Sequence, residues 1–145
     1  MSYQTWHTYG YGVCTEKIQI RSVEDLEKLI SLAPKYEMEI KEWLAENEIE
    51  KPTIDDYLEY DEDEYCKLAS ILKAVIFEVE EVEFTACNNF DGENYLIYEP
   101  SYPWHMSKAD SSMTEERIEE ILRKYISIVT NQMPEMDYQS VGNGG

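Results

Sequence analysis

The chain has 145 residues, of which 31 are acidic and 12 are basic, so its formal net charge at pH 7 is −19. This charge disfavours direct binding of nucleic acid, because such binding depends on lysine and arginine side chains that neutralise phosphates. Hydrophobic residues make up 43% of the chain, an ordinary share for a globular protein. Length and composition therefore predict a single acidic globular domain over residues 1–145.

The sequence carries no signal for a membrane or for export. It has no run of about 18 apolar residues, and its first ten residues lack the basic and apolar regions of a secretory signal. The three cysteines, Cys14, Cys66 and Cys87, are odd in number and far apart, which favours reduced thiols over a disulfide framework. We therefore expect a cytoplasmic protein that makes no membrane contact.

The first predicted element is a strand at residues 3–13, where residue types alternate between two faces. Tyr11 and Val13 share one face, and Gly10 and Gly12 share the other. Glycines inside a strand indicate a bulge, a sheet edge or the close approach of another backbone.

Capping residues and apolar residues at helical spacing predict four to five helices. These helices begin after Ser22, at Pro34, after Thr53, after Asp61 and after Thr114. The helix after Asp61 is predicted to switch into a strand near residues 80–82.

A β-hairpin is predicted in the middle of the chain, because Asp91-Gly92 is a dipeptide favoured in two-residue turns. A two-residue turn at this point places Cys87 opposite Leu96. Both faces of the hairpin are partly apolar, which predicts that it lies inside a sheet and not at its edge.

The last predicted element is a possible C-terminal strand in the segment MDYQSV, and residues 138–145 are predicted to fray. Strands lie towards the ends of the chain and helices lie in the middle. This order predicts an α+β fold, in which an antiparallel sheet (N-terminal strand, central hairpin and possible C-terminal strand) packs with four to five helices.

Catalytic and metal chemistry find little support. A small cysteine-dependent enzyme could use Cys87 as nucleophile, His105 as base and Asp91 to orient the imidazole. However, the alternation of residues in the predicted strand places Cys87 on the face opposite Leu96, where a thiol is expected to be buried. His7 and His105 have no ligand pairs at zinc-site spacing. We therefore predict a protein that is not an enzyme and has no metal or cofactor.

The acidic residues are segregated along the chain. Thirteen lie between Glu37 and Glu64, against only Lys41 and Lys51. A net charge of −19 exceeds the magnitude of roughly 2 to 8 that solubility asks of a small domain. Carboxylates at helical spacing can imitate rows of phosphates, although charge runs are usually just solvated surface.

The functional interpretation assigns this acidic surface to a basic protein partner. Exposed aromatic residues often anchor such contacts, and Tyr102 and Trp104 are the candidates here. The predicted acidic contact residues are Glu46, Glu48, Glu50, Asp55, Asp56, Glu59, Asp61, Glu62 and Asp63.

Three strings carry a family resemblance: NFDGENYLIYEPSYPW, DYQSVGNGG and the opening WHTYGYGV. With them the whole chain resembles small acidic proteins of phages and mobile elements of Gram-positive bacteria. The motifs have no assigned chemistry, so no functional residues transfer. The resemblance implies that the protein acts in the cytoplasm of a host bacterial cell. Small acidic proteins of such elements often resemble inhibitors of host defence, including anti-CRISPR proteins and DNA mimics.

The leading hypothesis is a non-enzymatic inhibitor of a basic nucleic-acid-binding defence protein, such as a CRISPR effector. One alternative is the cysteine-dependent enzyme. The other is a self-associating accessory protein of a mobile element without an inhibitory role.

Overall fold

A computed structural model describes residues 5–60, 66–89, 91–99 and 114–144 of the chain. Four strands and five helices lie in these ranges, and they confirm the predicted α+β class. The strands are β1 (Thr5–Cys14), β2 (Thr85–Asn88), β3 (Asn94–Tyr98) and β4 (Asp137–Gly144). The helices are α1 (Val23–Ser31), α2 (Pro34–Glu46), α3 (Ile54–Glu59), α4 (Leu68–Glu80) and α5 (Glu115–Val129).

The four strands form one antiparallel sheet in the order β2-β3-β1-β4. The possible C-terminal strand is therefore confirmed, and it pairs with β1 from Thr5 opposite Gly144 to Gly12 opposite Asp137. The predicted fraying of residues 138–145 is wrong for 138–144, because these residues lie in the strand that pairs with β1.

The hairpin forms, but its predicted register is wrong by one residue. Cys87 lies opposite Tyr95, not opposite Leu96. The N–H of Asn89 donates to the carbonyl of Glu93 at 3.0 Å and closes the turn. Gly92 lies inside this turn and has a φ of 80°. A loop one residue longer than the predicted two-residue turn shifts every pair.

The hairpin is also not wholly internal. β3 lies between β2 and β1, whereas β2 is at one edge of the described sheet. The backbone of β3 approaches β1 closely at Gly10 and Gly12, which is one of the three explanations that the sequence offered for glycines in this strand. A Cβ added at Gly12 would lie 2.7 Å from the Cα of Ile97, so the strands cannot hold their present spacing with a larger residue there.

Three predicted helix starts are confirmed by their caps. The hydroxyl oxygens of Ser22, Thr53 and Thr114 accept hydrogen bonds from the backbone N–H three positions later, at 3.2, 3.3 and 3.1 Å. The fourth helix starts later than predicted, at Leu68 instead of after Asp61. Lys67 has a φ of 51°, so a helix cannot run through it. The helix then ends at Glu80, within the predicted switch region.

The helices pack on one face of the sheet and enclose the main core. Its fully buried members are contributed by the helices and both central strands; they include Leu26, Ile40, Leu72, Ile76, Leu96 and Tyr125. Strand alternation sends Ile97 to the opposite face, where it forms a small second cluster with Cys87 and Val141.

Candidate binding surface

Six of the predicted acidic contact residues fall in the described part of the chain, and we call them the acidic segment. They lie between the last turn of α2 and the end of α3, and they are Glu46, Glu48, Glu50, Asp55, Asp56 and Glu59. Asp61, Glu62 and Asp63 lie outside the described residues, so their predicted role stays a prediction.

The first half of the acidic segment is shaped by the end of α2. The N–H of Ile49 bonds to the carbonyl of Leu44 at 2.9 Å, and the N–H of Glu48 bonds to that of Ala45 at 3.2 Å. These two bonds define a Schellman motif, whose left-handed residue is usually glycine. Glu48 occupies that position, with a φ of 57°. The turn therefore projects a carboxylate from a site where the backbone alone favours glycine.

The second half of the acidic segment is set by a capping box at the start of α3. The backbone N–H of Thr53 donates to the carboxylate of Asp56 at 2.8 Å, and the N–H of Asp56 donates to the Thr53 hydroxyl at 3.3 Å. Asp56 is half-buried in this role. Its carboxylate therefore stabilises the helix first, and it is the predicted contact residue least available to a partner.

Aromatic contacts hold the acidic segment against the rest of the protein. The buried Tyr57 donates a 2.6 Å hydrogen bond from its hydroxyl to Glu27 of α1. The pKa of the phenol is raised, mainly by burial and also by this hydrogen bond. Tyr60 lies edge-on to Trp43 and Tyr36 of α2. The short α3 is thus fixed to both preceding helices.

The remaining five carboxylates of the acidic segment point into solvent. Glu46, Glu48, Glu50, Asp55 and Glu59 are all exposed. Within the described ranges, no lysine or arginine lies at ion-pair distance from any of them, while the nearby Lys41 pairs with Glu37 at 3.6 Å. The acidic segment therefore presents five carboxylates that form no ion pair with a described lysine or arginine.

Both predicted aromatic anchors, Tyr102 and Trp104, lie outside the described residues. Among the residues whose burial is described, three other aromatic side chains are exposed: Phe77 at 54%, Tyr9 at 50% and Tyr138 at 47%. Tyr9 and Tyr138 stack, with ring centroids 5.7 Å apart. Alternation in β1 gave no sign of this pair, because it depends on the pairing of β1 with β4.

The residues of the possible cysteine-dependent site are only partly described. Cys87 is buried, and burial raises the pKa of its thiol to about 11. Asp91 is exposed in the hairpin turn, and His105 lies outside the described residues. A thiol with that pKa is protonated at neutral pH and is a poor nucleophile.

Two further properties concern the described ranges alone. No three or more histidine, cysteine, aspartate or glutamate side chains there are grouped so as to hold a metal ion. None of the five helices there has the length and apolar character needed to cross a membrane.

Comparisons of the chain with protein-family models, with curated proteins and with solved structures found no match.

Proposed function

We propose that this protein is a non-enzymatic inhibitor that binds a basic nucleic-acid-binding defence protein, such as a CRISPR effector, in place of its nucleic acid. The observation that supports this proposal is the acidic segment, with five exposed carboxylates that no described cation pairs. Nucleic-acid-binding clefts are rich in lysine and arginine, so a surface of this sign is complementary to them.

The way in which the segment is built adds support. Its backbone is held by the Schellman turn, the capping box and the contacts of Tyr57 and Tyr60, so little ordering is required on binding. The partner would be steered by long-range attraction, and association should therefore weaken steeply as salt rises.

The alternatives have less support. The raised pKa and burial of Cys87 weigh against a cysteine nucleophile. A self-associating protein would have to bring two copies of a strongly acidic chain together, and a stable oligomer that buries the acidic segment would favour that alternative over inhibition.

The test compares two variants of equal net charge. The segment variant carries Glu46→Gln, Glu50→Gln, Asp55→Asn and Glu59→Gln, and it keeps Asp56 because that residue caps α3. The control variant carries Glu24→Gln, Glu83→Gln, Glu116→Gln and Glu135→Gln, all at exposed positions in other parts of the chain.

Each protein is added to a panel of purified CRISPR effectors, and the fraction of nucleic acid that remains bound is measured at low and high salt. We expect the natural protein and the control variant to displace nucleic acid from at least one effector at low salt, and the segment variant to fail. Displacement that is equal for all three proteins, or that is insensitive to salt, would show that the acidic segment is not a nucleic-acid mimic. No displacement from any member of the panel would contradict the choice of a CRISPR effector as partner.

A further inference from the structure

A groove between α2 and α4 carries a second inference. Its volume is ≈ 630 Å³, and it is open to solvent between the first turns of α2 and the last turns of α4. Its lining combines apolar groups of Tyr36, Ala74 and Phe77 with the exposed carboxylates of Glu39 and Glu81. The groove therefore offers apolar surface and negative charge at the same place.

Helical spacing explains why these groups meet. Ala74, Phe77 and Glu81 are three and four residues apart, so they share one face of α4 and its end. The ring of Phe77 is 54% exposed. Single exposed aromatic residues are common, but this ring borders a groove whose other wall is formed by α2.

Glu78 fixes the distance between the two helices at the groove. Its carboxylate accepts the N–H of Lys35 at 3.1 Å and the N–H of Tyr36 at 3.0 Å, and so caps α2, whose own N-cap residue Ala33 has no capping side chain. The charge of Glu78 is offset by the positive end of the α2 dipole. It therefore adds little to the attraction for a partner.

The other charges at the groove are not offset in this way. In the described ranges, neither Glu39 nor Glu81 lies within ion-pair distance of a lysine or arginine. The last turn of α4 has no basic residue of its own, and its negative dipole end faces the same region. Lys35 supplies the single positive charge among the described lining residues.

We propose that this groove receives an arginine-bearing segment of a protein partner, with the guanidinium over the ring of Phe77 and bonded to Glu39 and Glu81. Arginine fits better than lysine because its planar group stacks on aromatic rings and donates to two carboxylates at once. The inference rests on the proposed function, since it describes a second contact with the same basic protein. The groove lies at the first turns of α2, whereas Glu46, Glu48 and Glu50 of the acidic segment lie at the other end of that helix, about 20 Å away at 1.5 Å per residue. The end of α3 comes back towards the groove, since Tyr60 lies edge-on to Tyr36.

The test uses a short blocked peptide with two arginines between leucines as the probe. Matched peptides carry citrulline, which is neutral with nearly the same shape, or lysine at the two positions. Each peptide is titrated into the isotope-labelled full-length protein, and backbone amide shifts are followed by NMR. We expect saturable shifts at residues 35–39 and 74–81 with the arginine peptide, weaker ones with lysine and none with citrulline.

Two variants check the contacts. Phe77→Ala should weaken binding of the arginine peptide roughly two- to fivefold, the effect of losing one exposed cation–π contact. Glu81→Gly should weaken it by a similar factor and yet raise the Tm by about 2–4 °C, because Glu81 has a φ of 58°, where glycine is favoured. Glu116→Gln on α5 removes one negative charge elsewhere and should leave binding unchanged.

The groove and the acidic segment can fail separately. Shifts that appear only at residues 46–59, shifts that are equal for citrulline and arginine, or no shifts at all would overturn the groove proposal and leave the displacement test of the acidic segment to stand by itself. Shifts in the groove together with unaltered displacement by the segment variant would support the groove and contradict the role of the acidic segment.

Discussion

The buried phenol of Tyr125 in α5 donates a 2.7 Å hydrogen bond to Glu80 at the end of α4. Lys124 contacts the same carboxylate at 2.9 Å, and the Glu80 side chain is only 16% exposed. The bonds from Lys124 and Tyr125 lower the pKa of Glu80, while burial and this bond raise the pKa of Tyr125. The two helices that flank the central part of the sheet are thus joined by one carboxylate.

Replacing Tyr125 by phenylalanine should lower the free energy of unfolding by about 1.5–3 kcal/mol, because the variant removes a partly buried hydrogen bond to a charged group. The matched control is Tyr138→Phe, which removes the bond from an exposed phenol to Glu115 and should lower the free energy of unfolding by less than Tyr125→Phe does. Urea unfolding of both variants measures the difference. Equal losses would mean that burial adds nothing to the bond at Glu80.

The pKa of Glu80 predicts a dependence of stability on pH. Because its folded-state pKa lies below the ordinary value of 4.5, the folded protein holds the ionised form more strongly than the unfolded chain does. Its contribution is therefore fully present above pH 4.5 and is lost as the pH falls through the lowered pKa. The stability difference between the natural protein and Glu80→Gln should shrink over that acidic window, as followed by urea unfolding at several pH values. A difference that stays constant would contradict this assignment.

Glu48→Gly should raise the free energy of unfolding by about 0.5–1 kcal/mol, since glycine adopts the left-handed conformation of the Schellman turn without a steric cost. Glu48→Ala removes the same charge but keeps a Cβ, and it should give no comparable gain. Thermal unfolding of the two variants separates relief of the backbone from relief of charge repulsion. If the alanine variant were stabilised as much as the glycine variant, the effect would be electrostatic.

Gly12→Ala should destabilise the protein by about 1–3 kcal/mol or more, because the added methyl group meets the β3 backbone at Ile97. Gly92→Ala provides the comparison, since its φ is 80° but no atom lies within 4 Å of an added Cβ. That variant should cost about 1 kcal/mol from conformation alone. A smaller loss at Gly12 than at Gly92 would argue against the close approach of the two strands.

Thiol labelling at neutral pH should modify Cys14 first, because it is half-buried whereas Cys66 and Cys87 are buried. With a pKa of about 11, the thiol of Cys87 has very little thiolate at pH 7, and its labelling should require opening of the structure. In denaturant all three thiols should react at similar rates. Rapid labelling of Cys87 in the folded protein would restore the case for a cysteine-dependent enzyme.

Local signals in the sequence determined much of the helical part of the fold. The caps at Ser22, Thr53 and Thr114 act over three residues, so the residues that cause each helix to begin stand next to each other in the chain. The acidic surface between α2 and α3 could be predicted for a similar reason, because the density of charge is a property of a short stretch of sequence. That density predicts the nine acidic contact residues.

Tertiary structure alone decided the features that depend on distant residues. The register of the hairpin followed from how the turn closes at Asn89, and the strand nature of the last residues followed from pairing with β1 at the other end of the chain. The cap of α2 comes from Glu78, 42 residues beyond Tyr36, and no local pattern points to it. The groove has the same origin.

The sequence by itself therefore determined the fold class, the helix starts that have local caps and where negative charge accumulates, because each depends on neighbours along the chain. The structure decided how those charges are used. It assigned Asp56 and Glu78 to helix caps and Glu80 to a partly buried network, and it left Glu48 and Glu81 exposed in strained turns. The role of each carboxylate depends on whether a hydrogen-bond donor from a distant part of the chain lies next to it, and the packing of the fold decides this.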